Sequence, residues 1–208
     1  MIKNIILDFG GVIIDVSYKA AANAFKKLGV KNFDILYSQK KQEHFFDDFE
    51  KGIISDEEFR LQIKKHLPSS VSDKQIDAAW NSLVLTIPQG RINFLRELKK
   101  NYRLILLSNS NRIHHRKLTK TIEKDFEKNI LNELFEKIYF SCFINMRKPD
   151  VKIYNHVMKE NNLKINETIF IDDSIQHVEG ARKAGLTAYH LELTKTSIEK
   201  FIPEILSA

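Results

Sequence analysis

One cysteine, Cys142, is all that 208 residues contain. It excludes an internal disulfide, so a reducing, cytoplasmic setting is expected. Proline and glycine are scarce, at four and seven residues, which excludes collagen-like and loop-dominated architectures. No apolar run approaches the roughly 18–20 residues that span a bilayer. The apolar start is broken by Asp8 and Asp15, which argues against a secretory leader. No membrane association is expected.

A concentrated basic surface is missing too. The formal net charge is +6, yet the lysines are spread along the chain among the acids. The densest basic stretch, 112–128, also holds Glu123, Asp125 and Glu127, the mixed-sign pattern of a solvated helix face. It carries no aromatic or Arg/Gly RNA-binding motif, and one cysteine permits no zinc-finger spacing. Nucleic acid is therefore not an expected partner. What the chain does have is core material: 43% hydrophobic residues, including 14 Phe. That suffices for one medium-sized domain, or one domain with an insertion.

The pattern changes twice along the chain. Lys3–Leu7 and Val12–Ile14 flank Asp8-Phe-Gly-Gly and read as a buried strand with a glycine turn. From Ser17 to about Leu85 the signal is helical. Ala20–Leu28 is stopped by Gly29, and Ile35–Phe49 carries Phe45, Phe46 and Phe49 at helical spacing. Ser55 and Ser72 each open a helix with a capping box. Ile76, Ala79, Trp80 and Leu83 share one face, so Trp80 and the phenylalanines are expected core residues. After Pro88, helices and strands alternate. Strands are expected at 103–108, 137–144, 168–172 and 187–191, with helices at 92–100, 113–128, 151–161, 175–184 and 196–206. This order predicts an α/β fold with a doubly wound, mostly parallel sheet. The expected division is a core of 1–15 and 87–208 and an inserted helical unit of 16–86.

In such sheets ligands bind beside the carboxyl ends of the strands. Reactive groups stand at four of these places: Asp8, Ser108, Lys148-Pro149 and Asp172-Asp173. Each alone reads as a cap or turn residue. Two adjacent acids directly after Thr-Ile-Phe-Ile, however, need a cation to offset their repulsion. Asp8, Asp172 and Asp173 with Lys148 leave two negative charges, which one Mg²⁺ would neutralise.

The order Asp8-Phe-Gly-Gly-Val, Leu-Leu-Ser108-Asn, Arg147-Lys148-Pro149 and Phe-Ile-Asp172-Asp173-Ser resembles the four motifs of the haloacid dehalogenase (HAD) superfamily. The resemblance covers essentially the whole chain, and the unit 16–86 matches that superfamily's helical cap on a Rossmann-like core. Leu-Ser-Asn-Ser-Asn-Arg-Ile-His114 and Asp-Asp-Ser-Ile-Gln-His-Val-Glu-Gly-Ala are similar to the bacterial α-D-glucose-1-phosphate phosphatases and their relatives.

The resemblance implies roles. Asp8 is the nucleophile that forms an aspartyl-phosphate. Ser108 and Asn109 bind the phosphoryl oxygens, and Lys148 neutralises them while keeping Asp8 ionised. Mg²⁺ is held by Asp8, the Gly10 carbonyl and Asp173, with Asp172 binding directly or through water. Two departures stand out. Most phosphatases of the superfamily carry a second Asp two residues after the nucleophile to protonate the leaving alcohol, and Gly10 stands there. His177 stands where an acidic or amide residue is commoner. Substitutes for the acid are Asp15, His114 (which could also bind substrate), and the cap residues His44 and Asp47.

The function expected from all this is Mg²⁺-dependent hydrolysis of a small phosphorylated metabolite, a sugar phosphate among the options, by a monomer or homodimer. Two alternatives remain at this point. One is a metal-free 2-haloacid dehalogenase, against which the Asp172-Asp173 pair speaks. The other is a weakly active or non-catalytic phosphate-ligand binder, because of Gly10.

Overall fold

The computed structural model describes residues 1–30, 33–37, 43–126 and 130–207. The order begins with strand β1 (Asn4–Leu7), then helices α1 (Tyr18–Leu28), α2 (Phe33–Leu36), α3 (His44–Glu50), α4 (Asp56–Lys64), α5 (Asp73–Asn81) and α6 (Gln89–Leu98). It continues with β2 (Arg103–Ser108), α7 (Arg112–Asp125), α8 (Ile130–Leu134), β3 (Lys137–Phe140), α9 (Ser141–Ile144) and α10 (Val151–Glu160). Last come β4 (Thr168–Asp172), α11 (Ile175–Lys183), β5 (Thr187–His190) and α12 (Ile198–Ser207).

The five strands form one parallel sheet in the order β3-β2-β1-β4-β5. Alternating side chains of each strand enter opposite cores, because both faces are covered by helices. Ile5, Leu7, Leu104, Leu106, Ile169 and Ile171 pack toward α6, α7, α8 and α12. Ile6, Ile105, Leu107 and Phe170 pack toward α10 and α11. After β3 the chain returns to the other side of β1, so strand order reverses between β1 and β4. The crevice of an open α/β sheet opens at such a reversal.

A third apolar cluster fills the helices between Tyr18 and Asn81 and includes Ile113 of α7. Trp80 is fully buried at its centre, with Phe33, Tyr37, Phe46 and Phe59 rings within 6.4 Å. Both expected capping boxes form, Ser55 with Glu58 and Ser72 with Gln75. Such caps satisfy first-turn N–H groups and contribute about 1 kcal/mol each. No described helix is long and apolar enough to cross a membrane.

Three expected elements differ. Residues 12–14 make a turn instead of strand: the Ile13 and Ile14 N–H groups both donate to the Phe9 carbonyl, while Val12, Ile13 and Ile14 stay buried. Burial made them read as strand, and the core takes them from a loop equally well. The strand expected at 137–144 ends at Phe140, because Ser141 leaves the sheet: its hydroxyl accepts from the Ser110 N–H and lies 2.6 Å from the Glu50 carbonyl. The helix expected at 35–49 is represented by α2 and α3, and its positions 38–42 lie outside the described residues, as do positions 127 and 128 of the helix expected at 113–128.

Candidate active site

Strand register brings the expected site together. Leu7 pairs with Ile171, and the Asp8 N–H donates to the Ile171 carbonyl at 2.9 Å, which sets Asp8 beside Asp172. On the other side Leu7 pairs with Leu106, so Ser108 closes β2 next to them. Asp8, Phe9, Gly10, Ser108, Asn109, His114, Asp173 and His177 all line one cavity of about 110 Å³.

Lys148 is the hub. Its ammonium is fully buried and lies 2.5 Å from Asp8 Oδ1 and 2.6 Å from Asp172 Oδ2. A buried ammonium is tolerable only when paired and hydrogen-bonded. Burial alone would lower the Lys148 pKa, but the two carboxylates prevail and hold it above the ordinary lysine value. The carboxylates diverge. Burial and the neighbouring Asp172 push Asp8 up to about 6. Burial would raise Asp172 as well, yet His177 and Lys148 hold it well below the usual range.

The Asp172 carboxylate is saturated from within the protein. One oxygen accepts from the Ser174 N–H at 2.8 Å, the other from Lys148, and His177 Nδ1 lies 3.0 Å from both. A carboxylate at that position places the imidazole proton on Nδ1. Carboxylate oxygens of Asp8, Asp172 and Asp173 lie within 4.8 Å of one another, a grouping able to hold a metal ion. Beside it Gly11 has φ +78°, and a Cβ there would meet Asp173 Oδ2 at 2.6 Å. The positive φ and the close approach of Asp173 favour glycine at that position.

Several of the expected residues are engaged by other protein groups. The Asn109 side chain is clamped to the Lys148 peptide: its Nδ2 donates to the Lys148 carbonyl and its Oδ1 accepts the Lys148 N–H, both at 2.9 Å. It positions Lys148. His114 lines the cavity, but both ring nitrogens are engaged, Nε2 with the Trp80 carbonyl and Nδ1 with Asn111, each at 3.1 Å. The ring stacks on Trp80, and burial lowers its pKa to about 4. A neutral imidazole so held is a structural joint between α5 and α7, not a proton donor near neutrality. Asp15 is ion-paired with Arg91 at 2.8 Å, and Asp47 with Arg147 at 2.8 Å. Neither these two nor His44 is among the described residues lining the cavity.

Sequence reasoning gave no role to Glu50, Arg147, Tyr18 or Tyr37, which also line the cavity. Arg147 carried a signal, its place beside Lys148. Glu50 is one acid among several in its stretch and carried none.

The sequence pattern of the haloacid dehalogenase-like hydrolases matches residues 5–190. The chain belongs to that family. This HAD hydrolase is 29% identical over 194 residues to the D-ribitol-5-phosphate phosphatase of Bacteroides thetaiotaomicron, covering 92% of this chain and 93% of that one. Among solved structures it is similar to a HAD family enzyme of the same organism, crystallised as an aspartate-to-alanine mutant with magnesium and inorganic phosphate. The TM-score is 0.85 at 34% identity, over 97% of this chain and 99% of that one. L-2-haloacid dehalogenase from Xanthobacter autotrophicus shares the fold, with a TM-score of 0.64 at 19% identity, over 100% of this chain and 84% of that one.

Proposed function

We propose that this HAD hydrolase is a magnesium-dependent phosphatase acting on the phosphate monoester of a small metabolite, a sugar or sugar-alcohol phosphate, with Asp8 as nucleophile. The observation that carries the reading is the convergence of Asp8, Asp172 and Asp173 around the buried Lys148. The likeness to a ribitol phosphate phosphatase and to an enzyme crystallised with magnesium and phosphate supports it.

The donors fit the ion. They are all oxygens, which suits a hard cation that keeps several waters. Asp8, Asp173 and the Gly10 carbonyl would hold it, with Asp172, whose oxygens already accept protein donors, acting through water. Bound there, Mg²⁺ offsets charge on the phosphoryl oxygens.

The chain's own residues do the rest. An Asp8 carboxylate oxygen attacks phosphorus in line, the bond from phosphorus to the alcohol oxygen breaks, and an aspartyl-phosphate forms. Water then attacks phosphorus, releases inorganic phosphate and restores Asp8. Lys148 keeps Asp8 ionised against its burial and offsets phosphoryl charge. Ser108, buried at the end of β2, donates its hydroxyl to a phosphoryl oxygen. Asn109 fixes the Lys148 main chain and His177 fixes Asp172, so neither charge drifts during the reaction. Residues 16–86 act as a cap that excludes water from the core formed by 1–15 and 87–208. With Gly10 at the usual acid's position, the departing alcohol draws its proton from water.

Phosphate release from p-nitrophenyl phosphate tests the reading. It should require Mg²⁺, vanish with EDTA and return with excess Mg²⁺. Release of chloride from 2-chloropropionate without metal would overturn it in favour of dehalogenation.

A further inference from the structure

The first turn of α7 is aimed at the helical insertion. Asn111 caps that helix, Ile113 is buried in the insertion's apolar cluster, and the His114 ring stacks on the Trp80 indole at 4.6 Å and 17°. The hydrogen bonds between them form a closed set. The Trp80 carbonyl can only accept, so His114 Nε2 carries the ring proton and donates it at 3.1 Å. Nδ1 is then the acceptor, 3.1 Å from Asn111 Nδ2. Asn111 Oδ1 accepts the His114 N–H at 3.0 Å and the Trp80 indole N–H at 3.3 Å. A second ring proton would point at the Asn111 amide donor, so the neutral imidazole is the form that fits.

Trp80 is held from both sides. Tyr37, Phe46 and Phe59 surround it within the insertion, at 4.6, 5.5 and 5.3 Å between ring centroids, so holding the indole holds the helices packed around it. Two further ties lie elsewhere. The chain crossings into and out of the insertion pair as an antiparallel ribbon: the Asp15 N–H donates to the Thr86 carbonyl, the Leu85 N–H to the Asp15 carbonyl and the Ser17 N–H to the Leu83 carbonyl. After α3, Asn145 Nδ2 donates to the Lys51 carbonyl at 2.8 Å, and the Ser141 hydroxyl lies 2.6 Å from the Glu50 carbonyl. A swing about the ribbon would break the α7 joint and the α3 ties together and bare Trp80 and Ile113 to water.

We propose that His114 is a positioning residue: through Trp80 it fixes the insertion on the sheet, so that Tyr18, Leu83 and Val84, which the insertion and its return strand contribute to the cavity wall, keep one placement relative to Asp8 before and after the ester binds. This rests on the phosphatase reading and adds how the leaving group is received. The alcohol meets a preformed wall, so binding does not bear the entropy of ordering a mobile lid, and no closure step precedes chemistry. The wall concerns the alcohol half of the ester alone. The phosphoryl half is met by Asp8, Ser108 and Lys148, which belong to the sheet and its loops.

Trp80 is the single tryptophan of the chain, so its fluorescence reads the joint directly. With Mg²⁺ alone, acrylamide should quench the folded protein at least about fivefold less than the urea-unfolded chain, and saturating inorganic phosphate should change neither the quenching nor the emission maximum. Strong quenching with Mg²⁺ alone, or a shift in emission when phosphate is added, would mean that the insertion opens and would overturn the proposal. Kinetics with p-nitrophenyl phosphate locate the effect. In His114→Ala the KM should rise at least about fivefold, while the inhibition constant of inorganic phosphate, which has no alcohol half, stays within about twofold of the wild type. A KM that does not rise, or an inhibition constant that rises in step with it, overturns the positioning role. Should His114→Ala fail to fold, the wild-type fluorescence decides alone. Hydrolysis of no ester overturns the phosphatase reading, and Trp80 quenching with Mg²⁺ alone still decides whether the insertion is fixed.

Discussion

Gly180 and Pro149 touch where α11 crosses the loop that carries Lys148: a Cβ on Gly180 would lie 2.4 Å from the Pro149 carbonyl oxygen. The closeness couples helix packing to the active site. Backbone cannot yield as a flexible side chain can, so Gly180→Ala must push α11 or the loop aside. Overpacking of this kind costs about 1–3 kcal/mol. The expected result is lower stability in urea unfolding together with a lower kcat, because Lys148 moves relative to Asp8. Wild-type values for both would show that the loop is not held by this contact.

Asp8→Asn should lower turnover by at least about 10³-fold, since an amide does not attack phosphorus. The same change makes a stability prediction of opposite sign. The carboxyl of Asp8 is raised from 3.8 to about 6 in the folded protein, so the folded state binds the proton more tightly than the unfolded one. Stability from this group is complete below the unfolded value and is lost as pH rises through the folded one. Without metal, Asp8→Asn should therefore be more stable than wild type at about pH 7.5, with the difference closing toward about pH 4. Urea unfolding in EDTA at both pH values checks this, and an asparagine variant less stable at the higher pH contradicts it.

Asp173→Ala should weaken Mg²⁺ binding at least about tenfold, as loss of a carboxylate ligand does for a hard cation. Isothermal calorimetry reads this directly. Unchanged affinity would place the ion away from the three-carboxylate grouping.

Gly10→Asp tests the missing proton donor. A Cβ at Gly10 meets only Val16 Cγ1, at 3.5 Å, and the residue is not among those with positive φ. A β-carbon is therefore accommodated there without backbone strain. A general acid contributes about 10²–10⁴-fold where a poor leaving group must be protonated. The variant should gain on alkyl phosphates relative to aryl phosphates. A folded, Mg²⁺-binding variant with the parent's alkyl-to-aryl ratio would mean that another group already supplies the proton.

The alternation of strands and helices was legible in the sequence because buried parallel strands are continuous apolar runs and their helices show one apolar stripe. The strand-end positions of Asp8, Ser108 and Asp172 followed from where those runs stop. Boundaries failed where hydrophobicity and strand part company. Val12–Ile14 is buried in a turn, and Ser141 is drawn out of the sheet by its hydroxyl contacts with Ser110 and Glu50.

The partners of polar side chains were decided by the tertiary structure alone. Asp15, Asp47 and His114 stood among the candidates to deliver a proton, and the folded chain pairs them with Arg91, Arg147 and the Trp80 carbonyl. Asn109, a phosphate ligand by the family resemblance, also holds the Lys148 main chain. Arg147 and Glu50 lie 97 positions apart, and nothing local to either residue records the other. Apolar burial is written as a periodicity in each segment, since any apolar neighbour satisfies it. A hydrogen bond or ion pair needs one particular partner within about 3 Å, and only the packing of segments distant in sequence brings that partner into range.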